Sequence, residues 1–402
     1  MLDDLLVLDL SRVLAGPYCT LLFADLGARV IKVESPAGDD TRRWGPPYVA
    51  GESGYYLSVN RGKRSVVVNL KEPRGAALVR DLARRADVVV ENYKVGDLAR
   101  YGLDYASLAR DNPAVVYVSI TGFGQSGPRA SEAGYDGAMQ ALSGLMAMTG
   151  EPGGAPVKLG VAWIDVLTGL HAAVGALAAL RRRQRTGEGA HLDLALFDVA
   201  LASLVNQSQN TLLTGQAPRR LGSGHPNIVP YQAFEAADGA LVLAVGNDAQ
   251  FARLCAVLGH PEWAEGRFAT NEGRVAHREE LVPLLAARVK AFRRDELVAA
   301  CREAQVPATQ VLGLNEALAE PQAAARGAVI EGEHPTAGRL PMVASPLWHA
   351  RGPDGQALDL APDVAAVPVP PLLGQDTRAV LTEELGLSAG EVEELLAQGV
   401  VA

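Results

Sequence analysis

The sequence predicts an α/β protein, with a large domain built on a parallel sheet and a smaller α/β domain. Three observations carry that reading. Short runs rich in Val and Ile alternate, through the first half of the chain, with amphipathic stretches long enough for helical crossovers. Gly and Pro stand at the joints between them. A polar, Gly-rich stretch at 206–230 then separates this half from a second cluster of strand and helix patterns. The 402 residues give room for two or three domains, and 48% apolar with 21% charged residues is ordinary globular usage, which excludes wholesale disorder and coiled coil.

Residues 5–10 read as an apolar strand ending in a turn. Pro17 stands where a helix would begin, in PYCTLLFADLGA, and Gly27 closes that helix before the strand RVIKVE at 29–34. The strand SVVVN at 65–69, the helix PRGAALVRDLARRAD opening at Pro73, and the strands DVVVEN at 87–92 and AVVYVSITGFG at 114–124 follow. Helices of this length between strands imply right-handed crossovers and a Rossmann-like class. The first turn, SRVLAGPYC, lacks GxGxxG, so the fold class implies no dinucleotide. Residues 161–180 predict a long helix with Val166, Leu170, Val174 and Leu177 on one stripe. Gly169, Ala172, Ala173, Gly175, Ala176 and Ala179 are interleaved there and permit close helix–sheet approach. RRRQRTGEG places cations at its end and a stop at Gly187, and the alternating strand HLDLALF comes next.

The expected domains are a large domain at 1–205, a linker at 206–230, a small α/β domain at 231–334, an extended Pro-rich connection at 335–371, and C-terminal helices at 372–402 that return to the large domain. The small domain opens with YQAFEAADGALVLAVG, a hairpin turning at Asp238-Gly239, and continues with helical patterns at 249–258, 275–292 and 295–304. The closing helices are DTRAVLTEELG and SAGEVEELLAQG. There is no internal repeat at solenoid periods.

Lys+Arg 37 against Asp+Glu 46, a net charge of -9, argues against a nucleic-acid partner but allows a local basic pocket for a small anion. Cys19, Cys255 and Cys301 are odd in number and dispersed, giving no disulfide framework and no metal-ligand spacing. The start MLDDLLVLDL is acidic where a signal peptide needs a basic flank. Asp165, Thr168 and His171 mark the 161–180 segment as a core helix, not a membrane span. The expectation is a soluble cytoplasmic protein with no membrane partner.

Asp165 is the most informative residue. A carboxylate in an apolar segment is costly unless it caps, pairs or reacts. It could be the N-cap of VLTGLHAAVGAL, the commoner use of such a residue. The rarer alternative is a nucleophile at a helix start, where the macrodipole favours the anion and nearby amides could hold a developing oxyanion. Spacing alone leaves both open.

LDLSRVLAGPYCTLLFADLGARVIKVESPAGDDTR resembles the opening of class III CoA-transferases, the CaiB/BaiF family of formyl-CoA and carnitine-CoA transferases. NRGKRSVVVNLKEPRG, DVVVENYKVGDLARYGLDY, NPAVVYVSITGFGQSGP, GYDGAMQALSGLMAMTG, DVLTGLHAAVGALAAL and the terminal PPLLGQDTRAV resemble later family segments in family order, over nearly the whole chain. The resemblance implies a CoA-transferase in which Asp165 carries first the acyl group as a mixed anhydride and then CoA as an aspartyl thioester. It implies no tightly bound cofactor and no metal, with coenzyme A or acyl-CoA as substrate and a small carboxylic acid as acceptor. It also implies a homodimer of interlocked rings.

Carried over position by position, the resemblance implies CoA contacts from Val13 and Leu14 in the first turn. It adds Val68, Asn69, Leu70 and Lys71 after the KRS run, Asn92 and Tyr93 in ENY, Arg100 in the following helix, and Tyr135 and Asp136 in GYD. Lys71 and Arg100 suit CoA phosphates, and Asn92 at a strand's carboxyl end suits a ligand crevice. Asp136 could also cap the helix GAMQALSGLM. Leu14 and Ser35 stand where several relatives carry a basic or amide side chain. VGNDAQF has only Gly246 where formyl-type enzymes have a glycine run, which argues against formate and oxalate as the acid pair. The HPN–PYQ and GND segments resemble the succinyl-CoA- and dicarboxylate-using branch, which needs a second cation. Arg42, Arg43 and Arg129 are candidates by composition. The alternative is an α-methylacyl-CoA racemase-like isomerase, but Tyr135 replaces the histidine those enzymes need as a base.

Overall fold

Six parallel strands form the central sheet, in the spatial order Lys63–Val67, Arg29–Glu34, Leu6–Asp9, Val88–Glu91, Val116–Thr121, Ala190–Ala195. Strands with few polar residues can lie in such a sheet because helices cover both faces, and Val88–Glu91 and Val116–Thr121 are buried along their whole length. The chain runs outward from Leu6–Asp9 in one direction, then returns to its other side with Val88–Glu91, Val7 lying opposite Val88. That reversal is the doubly wound order. It opens a crevice beyond the carboxyl ends of these two strands.

The computed structural model describes residues 1–356 and 367–402. They divide into one unit of Met1–Ser143, Leu159–Gln209 and Pro321–Ala402 and a second of Gly144–Lys158 and Asn210–Glu320. In the first, Val380 and Leu381 of the helix Thr377–Leu385 and Val392 and Leu395 of Ala389–Ala397 are buried in the same core as Leu8, Val66 and Val89. The second unit has a three-stranded antiparallel sheet, Ala308–Gln310, Ala240–Ala244, Tyr231–Glu235, packed on helices through Phe234, Leu241, Phe251, Leu285 and Val298.

Several expectations need correction. The first helix is Ala15–Asp25, so Pro17 is its third residue and not its first. The helix Val205–Thr214 occupies the start of the expected linker. The hairpin Val329–His334 with Gly338–Val343 belongs to the first unit and fills part of the expected extended connection, of which 357–366 lies outside the described residues. Pro341 argues against a strand, yet a two-stranded hairpin leaves each strand one unpaired edge, and Leu340 and Met342 still bury against Leu57.

The long helix runs Trp163–Thr186 and ends at Gly187 in the left-handed region, φ 77°. Its buried face is the one made of small residues. A Cβ on Gly169 would meet the Ala15 carbonyl oxygen at 2.6 Å, so only glycine lets the first helix approach there. The predicted stripe is turned outward, with Leu170 38% and Val174 66% exposed. Close backbone approach between two helices, not side-chain size, decides which face is buried.

Candidate active site

Buried ions fix the turn that follows the first strand. Asp9 accepts from the Ser11 amide at 2.9 Å, from the Ser11 hydroxyl, from Thr20 Oγ1 at 2.6 Å and from Lys63 Nζ at 3.1 Å. Lys63 also donates to the Pro17 carbonyl, and Lys32 Nζ reaches the Ser11 carbonyl and Asp39 Oδ2, each at 2.9 Å. Burial works against the Asp9 carboxylate, but Lys63 and Lys32 outweigh it and hold its pKa at about 2. Burial pulls the Lys63 ammonium down to about 8 despite Asp9.

On this base Val13 sits at φ 72°, a backbone state that β-branched residues avoid. Asp39 accepts its amide hydrogen at 3.3 Å. Asn92, at the end of Val88–Glu91, ties the preceding residue, accepting from Arg12 N at 2.9 Å and donating to Arg12 O at 2.6 Å. Across the crevice, Gly134 lies so close to the strand end that a Cβ on it would meet Gly122 Cα at 2.4 Å. That approach delivers Tyr135, 70% exposed, to the rim.

The result is a cavity of about 230 Å³ in the first unit whose lining includes Arg12, Val13, Leu14, Asn92, Tyr135 and Asp165. A second, of about 450 Å³, is lined in part by Val68, Asn69, Leu70 and Lys71. Arg12 and Tyr93 line both, the Arg12 guanidinium 5.3 Å from the Tyr93 ring centre.

Asp165 does not cap its helix. It is the third helical residue, and the Ala162 cap position makes no side-chain bond. The cap comes from Asp136, whose Oδ1 accepts from Ile164 N at 2.7 Å and Asp165 N at 3.3 Å. Nor does Asp136 cap its own helix, Asp136–Leu142, whose cap position is Tyr135. Burial first, and the Asp136 charge second, push the Asp165 carboxyl up to about 7. The Tyr55 phenol is raised to about 12 by burial, then by Asp165, Asp136 and Asp39.

Of the residues expected to contact CoA, Val13, Leu14, Asn92, Tyr93 and Tyr135 line the cavity with Asp165, while Val68, Asn69, Leu70, Lys71 and again Tyr93 line its neighbour. Arg100 and Asp136 line neither: Arg100 is exposed, 3.6 Å from Asp97, and lies over the ring of Tyr101, itself a residue of the second cavity. The proposed second cations are all paired, Arg42 to Glu34 and Glu52, Arg43 to Asp40 and Arg129 to Glu132. In the second unit Asn247 caps the helix Asp248–Val257. Sequence reasoning missed Arg12, Lys94 and Tyr55. Arg12 had a signal in its place beside Val13 in the first turn, whereas Tyr55 had none. Among the described residues, no three His, Cys, Asp or Glu side chains stand together as a metal site.

A family model described as CoA-transferase family III matches residues 2–377. The chain belongs to that family. It is 48% identical over 360 residues to the succinate–glutarate CoA-transferase of Agrobacterium fabrum, covering 88% of this chain and 90% of that one. It is 42% identical over 402 residues to the succinyl-CoA:glutarate CoA-transferase of Mus musculus, covering 100% of this chain and 90% of that one. The crystal structure of a CaiB/BaiF family protein from Brucella suis superposes with a TM-score of 0.82 at 44% identity, covering 95% and 99% of the two chains. As a family III CoA-transferase the protein uses CoA thioesters as substrates.

Proposed function

We propose that the protein transfers CoA from succinyl-CoA to a second dicarboxylic acid through covalent intermediates on Asp165. The observation that carries this reading is a carboxylate released from capping, held near neutrality by burial, and facing a cavity. Such a group is more basic than an exposed aspartate and is a better nucleophile once ionised.

An Asp165 oxygen attacks the thioester carbonyl, the C–S bond breaks, and CoA leaves as thiolate from a mixed anhydride. The thiolate attacks the Asp165 carbonyl carbon, releasing succinate and leaving the aspartyl-CoA thioester. The acceptor carboxylate attacks that thioester to form a second anhydride. The freed thiolate then attacks the acceptor acyl carbon and restores Asp165. No step needs ATP, because each intermediate keeps the thioester's energy, and each must be shielded from water.

CoA is held along the two cavities, which share Arg12 and Tyr93, with Lys71 at its phosphates and Val13, Leu14, Val68, Asn69, Leu70, Tyr93 and Tyr135 along its length. Arg100, outside both linings, reaches the phosphates from beside Tyr101. Asn92 acts through the Arg12 turn that it ties. Lys94, which lines the Asp165 cavity, supplies the cation that a dicarboxylate's distal group requires, beside Arg12, which is itself paired to Asp40. The preference for dicarboxylates rests on the names of the relatives. The working form is a cytoplasmic homodimer.

A matrix of succinyl-CoA against carboxylic acids, read by mass spectrometry, tests the substrates: glutarate and similar dicarboxylates should accept CoA, and acceptance of monocarboxylates alone would sink the class. Asp165→Asn tests the mechanism. Exchange should fall by several orders of magnitude, and hydroxylamine with wild type and succinyl-CoA should leave a hydroxamate on the Asp165 peptide. Deuterium entering an α-carbon from solvent without an acceptor acid would favour the isomerase instead.

A further inference from the structure

The hydrogen bonds of Asp136 reach the start of the helix that presents Asp165 and Gln140 of its own helix. We propose that Asp136 is a positioning residue: by occupying the amides that open the helix Trp163–Thr186, it keeps the Asp165 carboxylate out of its own helix cap and free in the cavity. This rests on the reading of Asp165 as nucleophile.

A helix start holds unpaired amide hydrogens that attract the nearest anion. An aspartate at the third helical position is the natural candidate, and a carboxylate that accepts two or three backbone amides becomes weakly basic. Here the competition is already decided. Asp136 Oδ1 takes Ile164 N at 2.7 Å and Asp165 N at 3.3 Å, so the amide of the nucleophile's own residue is engaged by another side chain. Asp136 Oδ2 accepts from Gln140 Nε2 at 2.6 Å, and Gln140 Oε1 accepts from Leu159 N at 2.9 Å. One short helix, Asp136–Leu142, therefore holds both the segment entering the long helix and its first turn. Asp136 is 7% and Gln140 0% exposed, so solvent does not compete for these bonds.

A neutral acceptor could make the same cap. The charge adds something else: it stands beside Asp165 and opposes its ionisation. Tyr55, from the helix Gly54–Val59, feels the Asp165 charge, and the charged side chains that line the same cavity are Arg12, Asp40, Lys94 and Glu132.

The test compares Asp136→Asn, Asp136→Ala and Asp165→Asn in the full-length protein, using pH profiles of kcat and kcat/KM with succinyl-CoA and glutarate, and thermal melting. Asp136→Asn keeps an acceptor for the amides and removes the charge. It should melt near wild type, lose less than tenfold in kcat, and shift the acidic limb of the profile downward by half a pH unit or more. Asp136→Ala frees the amides for Asp165; kcat should fall at least a hundredfold and the limb should move further down, with KM for succinyl-CoA within threefold. A hundredfold loss of kcat in a folded Asp136→Asn, which keeps the acceptor, overturns the proposal even where the alanine variant does not fold, and so does a loss confined to KM. Substantial turnover in Asp165→Asn would instead remove the nucleophile reading on which the proposal stands.

Discussion

Asn92 holds Arg12 by both ends of one amide group, accepting from its N–H at 2.9 Å and donating to its carbonyl at 2.6 Å. The two residues are on neighbouring strand ends, where the sheet reverses its direction of growth. The bond pair therefore sets the path of the turn that lines both cavities and holds Val13 in its left-handed state.

Asn92→Asp keeps the acceptor and turns the donor into a second acceptor facing the Arg12 carbonyl. Losing one exposed bond costs about 0.5–1.5 kcal/mol, and the opposed oxygens add to that. The turn should shift and KM for succinyl-CoA should rise about tenfold with kcat less affected, taking a loss of about 1.4 kcal/mol in binding as a factor of ten. Steady-state kinetics alongside denaturant unfolding reads both effects, and an unchanged KM in a destabilised variant would separate the turn from CoA binding.

Lys63 and Asp9 form a fully buried ion pair below the same turn. Replacing Lys63 takes the direct partner from Asp9 and leaves it Lys32, so Lys63→Met should cost up to about 3–5 kcal/mol of stability. Adding Asp9→Asn removes the carboxylate charge, and the double variant should regain part of that loss. Urea unfolding of the three proteins checks this. A double variant as unstable as the sum of the two single ones would show that the pair is not coupled.

Asp165 makes stability depend on pH in a direction opposite to that of a salt-bridged aspartate. Its pKa in the fold, about 7, lies above that of an exposed carboxyl, so between the two values the native state binds more protons than the unfolded chain. Stability therefore falls as pH rises through that window. Asp165→Asn removes the ionisation, and its advantage over wild type should widen between pH 5 and pH 8 by on the order of 2 kcal/mol. Chemical denaturation at the two pH values measures it. An advantage that stays constant would mean an ordinary carboxylate at this site. The same ionisation should appear in catalysis as a rate that climbs with pH up to about neutrality.

Much of this architecture is legible from residues close in sequence. The Val-rich runs around 66–68, 88–90 and 115–118 became central strands because their apolar side chains suit a sheet buried on both faces. Asp165 stood out because charge is costly in its segment. What supports it was not legible. Asp136 caps a helix through an amide 29 residues further on, and Tyr55 feels the Asp165 charge from a helix far upstream; neither relationship leaves a local pattern. In the long helix the interleaved small residues do mark the packed face, and the larger stripe is turned outward. Their closest partner is the first helix rather than the sheet, and burial follows the closest approach of two backbones, at Gly169.

That outward stripe yields the last prediction. In a single chain Leu170 and Val174 remain 38% and 66% exposed, and Leu201 of the following helix is 40% exposed. An apolar stripe on a helix is stabilised by burial at about 25 cal/mol per Å² when it meets a complementary surface. A second copy of this chain is the occupant that the proposed homodimer provides. Light scattering at submicromolar concentration should give the mass of two chains. Val174→Asp puts a charge on the stripe where the chain alone leaves it in water, so it should not disturb a monomer's fold, but it would bury an unpaired charge in a dimer. The variant should dissociate at concentrations where wild type does not, with melting that becomes concentration-dependent. A variant that stays dimeric at nanomolar dilution would place the dimer contact elsewhere, and a monomeric wild type would overturn the dimer itself.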